Sequence, residues 1–172
     1  MRSFWRRSRL RLRTLTRMSW SDKALAAESL VMLAAARAFV RFTPGKSLIS
    51  RIGGVSPETS DGGSQEPAAR GEAGEAGEAA GVGKMLERVS RSTWWRSMCL
   101  EKALAGRWML RRRGIASTMY IGMARKGQEF IAHAWLVGDG QTITGAGEIT
   151  YATLAVFRES GPGQPDPGLT SR

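Results

Sequence analysis

The chain has 172 residues, 42% of them apolar, and a formal net charge of +11. That length fits one domain, and that apolar fraction excludes a wholly disordered chain. Seven arginines within residues 1–17 leave only +4 on the rest of the chain, which argues against a globally basic nucleic-acid-binding domain.

Residues 1–18 form the basic segment. It lacks the apolar stretch of a secretory signal, and it reads either as an Arg-rich disordered tail or as a start misassigned upstream of Met18. Leu10, Leu12 and Leu15 interleave with the arginines, which makes the segment a candidate for weak contact with a membrane surface. No apolar run approaches the ~20 residues needed to span a bilayer. A single cysteine permits no internal disulfide, as fits a reducing cytoplasm.

Residues 19–54 read as a helical segment packing on the core. Ser19-Trp20-Ser21-Asp22 offers N-cap chemistry, and Leu25, Leu30, Leu33, Ala34, Phe39 and Val40 follow at helical spacing. Thr43-Pro44-Gly45 ends that helix, because proline disfavours helical geometry in the residue before it. Ser47–Ile52 gives a second short helical piece. Residues 55–83 are rich in Gly, Ser, Pro, Glu and Ala, with a Gly-Glu-Ala triplet repeated from Gly71. They read as a flexible linker, too polar to offset the entropy of ordering.

Residues 84–157 are expected to be the catalytic core. Lys84–Arg91 looks helical, and a stronger helix runs from about Met98 to Arg113 on the stripe Leu100, Ala103, Leu104, Trp108 and Leu110. Ser97 is the expected N-cap and Gly114 the expected C-terminal cap. The period then changes to two, predicting strands over 118–123, 130–137 and 141–144, with Gly138-Asp139-Gly140 as a hairpin turn. Residues 148–157 extend the sheet or close it, and 158–172 read as a disordered tail. The predicted class is α+β, with helices first and a small antiparallel sheet after.

Cys99 falls in the first turn of the strongest helix, where unpaired N–H groups and the helix dipole stabilise a thiolate. A lone cysteine is more often buried and inert. His133 is the sole histidine and sits mid-strand between Ala132 and Ala134, sharing a face with Ile131 and Trp135. A lone histidine is more often a satisfied core residue than a base. Together they form a nucleophile with a proton acceptor, and the cysteine-before-histidine order over a helix-then-sheet layout matches papain-like and transglutaminase-like sites. One Cys and one His make no zinc site without further ligands.

The wording around these two residues is specific as a pair. Trp95-Arg96-Ser97-Met98-Cys99-Leu100-Glu101-Lys102-Ala103-Leu104-Ala105 leads to Met109-Leu110-Arg111-Arg112-Arg113-Gly114-Ile115. Ile121-Gly122-Met123, Ala132-His133-Ala134-Trp135 and Tyr151-Ala152-Thr153-Leu154 follow. Over about 20–54 and 84–157 the chain closely resembles the lasso-peptide maturation proteases, which carry a transglutaminase-like domain, also called the microcin-processing C-terminal domain.

The resemblance implies a cysteine peptidase that cleaves the leader from a ribosomally made precursor peptide, with Cys99 as nucleophile and His133 as base. It implies two further partners. One is a separate leader-recognition protein, because 1–54 is too short and too helical to hold a winged-helix recognition domain. The other is an asparagine-synthetase-like cyclase that uses ATP, this chain binding no cofactor of its own. Nucleic acid is not an expected partner. The family's third catalytic residue is an acid twelve residues beyond the histidine. Here that position is Gly145, so Glu148 is the candidate third member, provided that Gly145-Ala146-Gly147 bulges. Asp139, at the hairpin tip, is too far along an extended strand. Without a replacement acid, His133 is expected to lose its orienting partner. A non-proteolytic peptide-binding or acyl-transfer module is the alternative function.

Overall fold

The structure, a computed structural model, describes residues 19–44, 47, 52, 75–126, 128–145 and 151–159. Three helices precede four strands: α1 (Trp20–Phe42), α2 (Glu75–Ser90), α3 (Cys99–Arg112), β1 (Ser117–Lys126), β2 (Glu129–Gly138), β3 (Gln141–Thr144) and β4 (Ala152–Glu159). The α+β class expected from the change of period is the class observed. No helix among the described residues is long and apolar enough to cross a membrane.

Each helix end follows from local chemistry. Ser19 Oγ accepts the Asp22 N–H at 3.1 Å and caps α1, and the helix stops at Thr43, just before Pro44. α3 ends in a left-handed glycine, Gly114 at φ 70°. The Gly114 N–H donates to Arg111 O and the Ile115 N–H to Leu110 O, both at 3.0 Å, which satisfies the last carbonyls of the helix. α1 packs on α2 and α3 through buried Ser29, Leu33 and Ala36, and α3 packs across β1 and β2.

The four strands form one antiparallel sheet in the order β3-β2-β1-β4. Asp139 (φ 50°) and Gly140 (φ 70°) turn the β2–β3 hairpin. Positive φ at both positions is what a two-residue turn of matching twist requires. Alternation then divides β2 between two faces. Ala134, Leu136 and Gly138 are buried towards the helices. A Cβ on Gly106 of α3 would come within 2.8 Å of Leu136 Cδ2, and one on Gly138 within 2.8 Å of Leu110 Cδ1. Ile131, His133 and Trp135 belong to the opposite face. The core gathers Leu33, Leu86, Leu104, Met109, Met119, Leu136 and Phe157, all fully buried, each worth roughly 1.5–3 kcal/mol of apolar burial.

Several expectations are corrected. The linker expected over 55–83 does not extend that far, because α2 starts at Glu75 and buries Ala79 and Val82. Ala79, Val82 and Leu86 recur at helical spacing, and contact with α1, α3 and β3 outweighs the low helix propensity of the intervening glycines. Residues 55–74 lie outside the described residues, as do 1–18 and most of the piece at 47–52. Ser97 does not cap α3: the N-cap is Met98, and the buried Ser97 Oγ has no hydrogen-bond partner among the described residues. Arg158 and Glu159, expected to start a disordered tail, instead complete β4, and residues 160–172 lie outside the described residues. Arg107 Nε meets Glu159 Oε2 there at 2.8 Å. The fourth strand starts at Ala152 and pairs with β1, on the far side of the sheet from β3. Glu148 lies outside the described residues.

Candidate active site

Cys99 is the first residue of α3 and is half-buried against the core. Met98, with extended backbone (φ −77°, ψ 160°), turns the chain into the helix. Glu101, in the first turn, holds this corner in place. Its Oε2 accepts the Met98 N–H at 3.1 Å, and its Oε1 accepts from Arg37 Nη1 of α1 at 3.3 Å. The same Arg37 nitrogen donates to Arg96 O at 3.4 Å. On the approach, Thr93 Oγ1 lies 2.8 Å from both Ser90 O and Trp95 O, which share its one hydroxyl proton. The thiol thus sits at the positive end of a helix dipole, on a corner tied to two other elements. Trp94 and Met98 beside it are exposed.

His133 lies on β2 opposite Gly122 of β1. A Cβ at Gly122 would approach Ala152 O to 2.8 Å and the Trp135 ring to 3.0 Å, so the glycine makes room for a layer of rings. The His133 ring stacks on Tyr151 at 4.8 Å and on Trp135 at 6.2 Å, and Trp135 stacks on Tyr120 at 5.3 Å. Its Nε2 lies 2.9 Å from the Gly145 carbonyl oxygen. A carbonyl oxygen only accepts, so Nε2 carries the proton, and in the neutral ring Nδ1 holds the free lone pair.

The structure brings His133 together with Gly145, Tyr151 and Trp135. It does not hydrogen-bond His133 to Cys99 among the described residues. The two approach β2 from different sides: α3 covers the Ala134–Leu136 face, and His133 belongs to the other. β3 stops at Thr144, opposite Leu136, so the described residues place no strand beside His133 on that side.

Sequence reasoning missed the Gly145 carbonyl and the Tyr151 stack. A main-chain acceptor has no residue type to betray it. The available signal was a glycine, twelve residues past the histidine, where the resemblance implies an acid.

Three helices, one of them opening on a cysteine, and a four-stranded antiparallel sheet with a histidine on a central strand make an α+β domain. The model of the transglutaminase-like superfamily matches residues 50–157. The chain belongs to the transglutaminase-like superfamily. No curated protein and no solved structure matches it significantly.

Proposed function

We propose that this chain is a cysteine peptidase that removes the leader from a lasso-peptide precursor, with Cys99 as nucleophile and His133 as base. The observation that supports it most is a thiol at a helix N-terminus in the same domain as the chain's one imidazole, whose Nε2 is engaged by the Gly145 carbonyl, leaving Nδ1 to accept a proton. The Cys99 sulfur adds to the scissile carbonyl as its proton passes to His133 Nδ1. The C–N bond breaks as that proton is returned to the departing amine. Water then hydrolyses the thioester, with His133 again taking and returning a proton. N–H groups at the start of α3 would receive the oxyanion. Cys99 and His133 belong to different sides of β2, so this reading requires sulfur and Nδ1 to be brought together. Such contacts commonly tighten only with substrate bound. Exposed Trp94, Met98 and Phe130 offer apolar surface to a peptide. A separate leader-recognition protein would deliver the precursor, and an ATP-using, asparagine-synthetase-like cyclase would take the new N-terminus, all in the cytoplasm.

The absence of a Cys99–His133 hydrogen bond favours a second reading, a peptide-binding or acyl-transfer module of the same fold without protease activity. Cleavage of a precursor by the full chain with a recognition protein separates the two. Cys99→Ala and His133→Ala are each expected to lower the cleavage rate by about 10⁴-fold or more. Cleavage by Cys99→Ala at the wild-type rate would sink the peptidase reading. A wild-type thiol inert to iodoacetamide at neutral pH would favour the binding module.

A further inference from the structure

We infer that the main-chain carbonyl of Gly145, in place of an acid side chain, is the positioning group for His133. The inference rests on the reading of His133 as the base. Gly145 occupies the position, twelve residues after the histidine, where an acid was expected. Its φ is +81°, and a Cβ there would stand 2.7 Å from Ala134 O and 2.8 Å from Trp135 Cβ. Both obstructions sit on or beside the β2 main chain, so neither moves cheaply. The position therefore excludes any side chain, an aspartate included. The missing side chain is what lets the backbone pass close enough to set its carbonyl 2.9 Å from Nε2.

An orienting acid does two things for a catalytic imidazole. It fixes the tautomer and aim of the ring, and it supplies a full negative charge to the imidazolium that forms during attack. The Gly145 carbonyl supplies the first and only a dipole toward the second. Stacking on Tyr151 at 4.8 Å supplies part of the remaining constraint on the ring plane. His133 is thus a fixed-tautomer base in a dyad completed by backbone. Placing an acid at 145 would displace the carbonyl rather than improve on it.

The chain holds one histidine, so nitrogen NMR of the full ¹⁵N-histidine-labelled chain reports this ring alone. The expected spectrum has Nε2 protonated with a slowly exchanging proton and Nδ1 bare, in the wild type and equally in Glu148→Gln. In Gly145→Asp that slow proton is expected to vanish, and Cys99 to react with iodoacetamide about tenfold more slowly or worse. Should Gly145→Asp fail to fold, the first two spectra still decide. A neutral ring protonated on Nδ1 would overturn the inference, as would an Nε2 proton exchanging as fast as that of free imidazole. Its loss in Glu148→Gln would also overturn it, assigning the role to that carboxylate. None of these spectra depends on precursor cleavage, so the inference and the peptidase reading fail separately.

Discussion

Glu101 shows how one buried carboxylate serves the corner that carries the thiol. It is 4% exposed, yet both oxygens are used, one by the Met98 N–H and one by Arg37. As an acid in the first turn it also complements the helix dipole. Removing one member of a buried ion pair is costly mainly when the other is left stranded. The Arg37 side chain is 45% exposed, so water can take it back. Glu101→Ala is therefore expected to cost about 1–2 kcal/mol, the value of one charged hydrogen bond plus a cap. Glu101→Gln, which still accepts the Met98 N–H, should recover roughly half of that. Urea unfolding followed by tryptophan fluorescence measures both. A Glu101→Ala loss far above that figure would mean that Arg37 is held in place rather than released. Cys99 and His133 stand out in the sequence because each is the sole member of its type. The atom that orients the histidine belongs to a backbone and has no letter of its own.

At the scale of elements, the helix–sheet contact is set by glycines where two backbones approach. A Cβ on Gly83 of α2 would lie 2.4 Å from the Ile143 main-chain oxygen in β3 and 3.1 Å from Ile143 Cγ2. Helical residues normally gain from Gly→Ala. Here the overlap with a carbonyl forces α2 off the sheet, and the expected sign reverses. Gly83→Ala should lower the urea midpoint by the equivalent of about 1–3 kcal/mol. By contrast, Gly81 has nothing within 4 Å of a new Cβ among the described residues, so Gly81→Ala should stabilise by up to about 1 kcal/mol. The two variants differ by two positions on one helix. Equal effects would show that the α2–β3 contact is not as close as described. This is also why the stretch read as linker is helix at its C-terminal end. Its glycines look like helix breakers in isolation, and at least Gly83 is a contact residue.

Over the whole molecule, ion pairs join elements distant in the chain. Arg113 makes a two-pronged pair with Glu28, at 3.1 Å and 2.6 Å, and also meets Glu78 at 3.2 Å. That fastens the end of α3 to α1 and α2. Lys102 and Arg91 flank Glu87, both at 3.0 Å. The hydrogen bond from Arg113 holds the Glu28 carboxyl below its ordinary value of 4.5, and that from Lys102 does the same for Glu87. Carboxylates whose folded values are depressed stabilise fully above the unfolded value, and the contribution is lost as pH falls through the folded one. Stability should therefore hold from neutral pH down to about 4.5 and fall below it. In Glu28→Gln with Glu87→Gln, stability should be lower at neutral pH and less steeply dependent on acid. Urea midpoints across that range measure the slope. An unchanged slope would show that other carboxylates govern acid unfolding.

The sequence by itself determined the class, a helix cap within Ser19–Asp22, the glycine cap at Gly114 and the hairpin at Asp139-Gly140, and it singled out Cys99 and His133 as the residues of chemical interest. These depend on spacing, capping and turn chemistry within a few residues, and such signals are written locally. Only the tertiary structure decided that α2 begins at Glu75, that β4 pairs with β1, and that His133 leans on the Gly145 carbonyl while α3 covers the other face of its strand. Those outcomes depend on which backbones come into contact across the fold. Proximity of that kind is fixed by packing and main-chain hydrogen bonding, to which the side-chain pattern of one segment contributes only half.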